Sequence, residues 1–151
     1  MARDVRLLTV ASLLRRGKSF DDLSTGLTLI GLASGLVHLL ITSADLWGLG
    51  LALTGVILGV VAKYYAFRVA FDADLFNAMA EDSHDLATRT STLDNTLQEL
   101  GLQPVDKKGR PWSVRCQGAL KLLKLQILFV GTQLLVMLSS LFLVPWLFFI
   151  P

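Results

Sequence analysis

Residues 24–43 (STGLTLIGLASGLVHLLITS) and 46–62 (LWGLGLALTGVILGVVA) hold no Lys, Arg, Asp or Glu, and only Ala44 and Asp45 stand between them. A helix needs ~20 apolar residues to cross the hydrocarbon core of a bilayer. Backbone polar groups in hydrocarbon must pair within the segment, so each run is expected to be helical. The short connection makes the pair a transmembrane hairpin. A third charge-free run, 125–150, follows the segment 63–124, which holds most of the chain's charge.

The remaining composition agrees. A 53% hydrophobic fraction with 17% charged residues and a mean hydropathy of +0.59 suits a membrane chain. Its 151 residues fit a single domain. The net charge of +2 is too small to suggest a nucleic-acid partner. Cys116 is the sole cysteine, which excludes an internal disulfide. The first apolar run exceeds a signal-peptide core and lies behind 23 polar or mixed residues. Although Ile41-Thr42-Ser43-Ala44 resembles a cleavage sequence, the run is expected to remain as a span.

The expected layout is an all-α integral membrane protein with three spans: 24–43, 46–66 and 122–144. Residues 1–18 precede them as an amphipathic helix, with Leu7, Val10, Ala11 and Leu14 on one side and most of the polar residues opposite. That helix suits a membrane surface, or the face of a helical segment, 67–118, between spans two and three. Gly17 fits its end. Lys and Arg flank the first span on its N-terminal side, the second on its C-terminal side and the third on its N-terminal side, and the opposite ends have none. The positive-inside rule therefore expects the N-terminus and 67–118 in the cytoplasm and the C-terminus outside. Trp47 and Trp146 would mark the outer interface, and Tyr64 and Tyr65 the inner one.

Past the second span, no Gly or Pro occurs between Gly59 and Gly101, so the helix is expected to run on to about Met79. Phe76, Met79, Leu86, Leu93, Leu97 and Leu100 follow a heptad-like stripe. Ser91 and Asp94 read as a capping box, with a break near 83–91 and a stop at Gly101. The stretch GLQPVDKKGRP (101–111) is a loop, Pro111 opens the last helix, and Pro145 is expected to end or kink it.

Few residues offer chemistry. Gly31 with Gly35, and Gly55 with Gly59, form GxxxG pairs at which helix backbones approach closely, within the hairpin or between copies. Gln126, Gln133 and Ser140 recur every seven residues, with Thr132 and Ser139 beside two of them. Unpaired amides are costly in hydrocarbon, so this seam must face protein or water. His38 lies within the first span, where an ionisable group is a functional candidate. No second His, no Cys and no carboxylate joins it from the other spans. Glu81 and His84 make one E-x-x-H beside Asp85, but a carboxylate-bridged metal centre needs two such motifs and further glutamates. Cys116 reads as an inert thiol or an incidental acylation site. No phosphate loop, nucleophile elbow or CxxC occurs, so neither enzyme activity nor a cofactor is expected.

The expectation is therefore a small non-enzymatic protein of the bacterial inner membrane. Its partners would be the bilayer and either further copies of itself or other membrane-protein subunits. A pore lined by Gln126, Gln133 and Ser140 from several copies, or a redox or metal protein using His38 or His84, are the alternatives.

Overall fold

The structure, a computed structural model, describes residues 4–40, 46–80, 86–102, 104 and 109–149, with side chains omitted at 141 and 143–149. The described residues form α1 (Val5–Arg15), α2 (Gly17–Leu40), α3 (Leu46–Ala80), α4 (Leu86–Glu99) and α5 (Trp112–Phe149), without a strand. Three stretches are long and apolar enough to cross a membrane: Val5–Leu40, which turns at Arg16, Leu46–Ala80 and Trp112–Ser140. Their outward faces expose Leu29, Leu39, Leu53, Ile57, Leu135 and Phe142. In water such a surface invites association; in hydrocarbon it does not.

The inward face of α3 sets the bundle. Gly48, Ala52, Gly55, Gly59, Ala62, Ala66, Val69, Ala73, Phe76 and Ala80 are all buried, at spacings alternating between four and three residues. That repeat keeps one stripe facing its neighbours along the helix, and its small residues let α2 and α5 approach the α3 backbone. At 35 residues, α3 is roughly 52 Å long, against ~30 Å of hydrocarbon. Its C-terminal part therefore extends well past the apolar run.

Around that extension the chain builds a helical head. Leu7, Ala11 and Leu14 of α1 are buried with Val69, Ala73, Phe76, Met79 and Ala80 of α3 and Ala119 of α5. The apolar face of the N-terminal helix is thus taken up by protein rather than left for acyl chains. Asp4 starts α1 by accepting from the Arg6 amide at 2.9 Å. Among the described residues the helix spans Val5–Arg15, short of the expected end at residue 18, and α2 begins at Gly17.

Two further boundaries differ from expectation. The Ser91–Asp94 capping box does not form, because both residues lie inside α4. Ser91 donates instead to the Thr88 carbonyl at 2.7 Å, and Asp94 turns toward α5. Pro145, expected to end or kink α5, does not end it, since the helix continues to Phe149. A proline removes one helical hydrogen bond and crowds the preceding turn, and membrane helices accommodate that loss. Gly101 does end α4: its φ of 68° opens a Schellman turn, with Gly101 N–H on the Gln98 carbonyl at 3.0 Å and Leu102 N–H on the Leu97 carbonyl at 2.9 Å.

Candidate functional site

The buried polar side chains of the spanning bundle form a ladder along α5. Gln133 is 0% exposed and binds both neighbouring helices. Its Nε2 donates to Thr28 Oγ1 at 2.9 Å and to the Gly55 carbonyl at 3.1 Å, with the Ser24 carbonyl at 3.4 Å. Its Oε1 accepts from Ser24 Oγ at 2.8 Å. Thr28 Oγ1 in turn donates to the Ser24 carbonyl at 2.7 Å. One amide thereby ties α2 and α3 to α5 at a single level.

The glycines make room for these contacts. A Cβ at Gly59 would collide with Thr28 Oγ1 and Gln133 Nε2, and one at Gly55 with the Met137 methyl. Gly31 faces the same Met137 methyl and the Ala52 carbonyl, and Gly35 faces the Ala52 side chain. Both GxxxG pairs are thus engaged within the chain, where α2, α3 and α5 meet.

Two turns below Gln133, Gln126 is also 0% exposed. Its Nε2 donates to the Gly17 carbonyl at 2.8 Å, where α1 gives way to α2. Its Oε1 has no partner, and rotating the amide would only orphan the nitrogen. Asp21 Oδ1 accepts no well-aligned hydrogen bond but lies 2.7 Å from Lys63 Nζ in an ion pair. Gln126 Oε1 is therefore the one buried side-chain oxygen among the described residues with neither kind of partner.

The other seam residues behave differently. Thr132, expected beside Gln133, is exposed and donates to the Leu128 carbonyl of its own helix at 2.9 Å. One residue along a helix is a turn of about 100°, which carries it off the buried face. Ser140 donates to the Met137 carbonyl at 2.8 Å, and Ser139 is half-buried. His38 Nδ1 lies 2.9 Å from the Ser34 carbonyl. Glu81, His84 and Asp85 lie outside the described residues, and among those described no three His, Cys, Asp or Glu could share a metal ion.

The head carries its own polar lock, which the sequence reading missed. Asp94, 2% exposed, accepts from Arg115 Nη2 with both oxygens, at 2.6 and 2.9 Å, and from the Gly109 amide at 2.9 Å. Trp112 Nε1 donates to Thr90 Oγ1 at 3.0 Å, and the Trp112 ring meets Phe76 edge-on at 5.5 Å. A signal was available: Thr90, Leu93, Asp94 and Leu97 share one helical face, so Asp94 had to be buried with the leucines and needed a cation. Burial pushes the Cys116 thiol up, helped by the charge of Asp4, which leaves little reactive thiolate. Asp72 is also raised by burial, against the lowering pull of Arg68. The ladder and the lock are both suited to holding helices together. Comparison with protein-family models, curated proteins and solved structures finds no match for this chain.

Proposed function

We propose that this chain is a small, non-enzymatic protein of the bacterial inner membrane that serves as an accessory or scaffolding subunit of a larger membrane assembly. The observation behind this reading is the use of its interior polar groups. Gln133, Ser24 and Thr28 bond to one another and to the backbone of other elements, and Asp94 and Arg115 pair in the head. These groups are spent on holding helices together. The head, formed by α1, α4 and the ends of α3 and α5, is joined to the spans by continuous helix and offers the surface for a partner.

The pore reading loses support from the same contacts. Gln126 and Gln133 face the interior of one chain's bundle, so lining a channel would require breaking that bundle. Self-association likewise has to use other surfaces than this seam. The test is purification of the full chain in mild detergent, followed by native mass spectrometry. A second membrane protein in fixed ratio is expected. A lone chain that also conducts ions in liposomes would overturn the proposal in favour of a pore.

A further inference from the structure

Where the spans give way to the head, α3, α4, α5 and the residues Leu102, Pro104 and Arg110 line an open cavity of about 540 Å³. Its wall is apolar, with Phe71, Leu75, Leu97 and Leu122, and Phe67 and Phe71 are exposed on the helix that leads back to the span. Three arginines line it. Arg115 is neutralised by Asp94. Arg68 lies over the Tyr64 ring at 5.8 Å and reaches its hydroxyl at 3.3 Å, without an ion pair to Asp72 one turn on. Arg110 is exposed, and its guanidinium has no hydrogen bond or ion pair among the described residues. Asp72 also lines the cavity and feels the charge of Arg68 without an ion-pair contact, whereas Arg110 has no counter-charge in contact, so the lining keeps a net positive charge beside its apolar wall.

We propose that this cavity binds one anionic phospholipid, its phosphate held by Arg68 and Arg110 and the start of its acyl chains laid along Phe67 and Leu122. Position and charge together select this occupant. The second span is expected to end at about residue 66, so Phe67 and Arg68 stand at headgroup level, where a lipid needs no transfer through water. Arginine forks match phosphate oxygens, and basic pockets between membrane helices suit anionic headgroups. A soluble phosphate compound would leave the apolar wall unused, and a zwitterionic lipid would bring its own cation to the arginines. The inference rests on the chain spanning a bilayer and does not depend on its serving as a scaffold.

The test is native mass spectrometry of the full chain in mild detergent, titrated with dioleoyl-phosphatidylglycerol or dioleoyl-phosphatidylcholine. One phosphatidylglycerol should be retained about thirtyfold more tightly than phosphatidylcholine, as expected for two arginine contacts. Arg68→Gln with Arg110→Gln should abolish that preference. Gly118 lines the cavity, and a Cβ there meets nothing within 4 Å. Gly118→Leu should therefore block retention while leaving the helical circular dichroism unchanged. If Gly118→Leu fails to fold, the arginine pair alone decides. Equal retention of both lipids, retention undiminished in the arginine variant, or full displacement by inorganic phosphate would each overturn the proposal. So would a lipid-free dimer in which a second copy fills the cavity.

Discussion

Gln126 and Gln133 lie seven residues apart on one face of α5, yet their polar atoms fare differently. Gln133 has both its nitrogen and its oxygen bonded to other helices, whereas Gln126 uses its nitrogen and leaves Oε1 orphaned. Interhelical hydrogen bonds in membranes contribute ~0.6–2 kcal/mol each, while an unsatisfied buried acceptor costs about 1–3 kcal/mol. Gln133→Leu is therefore expected to destabilise the bundle by about 1–2 kcal/mol. Gln126→Leu loses one bond and the orphan together, so it should be near neutral or slightly stabilising. Unfolding of both variants in detergent, followed by circular dichroism, measures the contrast. Equal destabilisation would mean that Gln126 Oε1 has a partner in the folded protein. The seven-residue recurrence of these glutamines was legible in the sequence. Which of their atoms is satisfied was not, because that depends on Gly17 and Ser24, more than a hundred residues away.

At the scale of elements, charge-free runs located the three helices long and apolar enough to cross a membrane, because lipid tolerates so few alternatives there. The head was harder to read, since its helices could have met water, membrane or each other. The face of α1 that suits a membrane surface also suits the small stripe of α3, and only the fold distinguishes them. The α3 stripe itself was readable: Gly48, Ala52, Gly55, Gly59, Ala62 and Ala66 alternate four and three apart, but a GxxxG search sees only one pair. Docking of α4 follows from Asp94, and its loss is predicted to free that helix. Asp94→Ala would strand Arg115, whose side chain is only 13% exposed, and unbind the Gly109 amide. Breaking a largely buried pair from one side costs on the order of 2–3 kcal/mol here, below the fully buried range because Arg115 reaches solvent. Trypsin should then cut the 101–111 connection faster than in the unsubstituted chain, while the spanning helices keep their thermal transition. Unchanged cleavage would show that Trp112 and Leu93 suffice to hold α4.

Over the whole molecule, charge is segregated along the bundle axis. Arg6, Arg15, Arg16, Lys18, Lys63, Arg68, Arg89, Arg110, Arg115, Lys121 and Lys124 all lie in the head or where the spans meet it. The far ends of α2, α3 and α5 hold no Lys or Arg among the described residues. The ion pair of Lys63 with Asp21, at 2.7 Å, marks the boundary, because a charged pair belongs where water or headgroups can reach it. Lys and Arg are retained on the cytoplasmic side during insertion, so the predicted orientation has the head inside and the C-terminus outside. Since α1, α4 and the start of α5 are joined in one head, these elements must share a side, and one orientation assigns them all. A periplasm-active reporter joined after Pro151 should be active, and the same reporter inserted near Lys107 should be silent. In a Cys116→Ala background, a cysteine placed at exposed Thr92 should react with a membrane-impermeant maleimide only after the cells are opened. Reaction in intact cells would reverse the orientation, and the head would then have to meet its partner on the outer side.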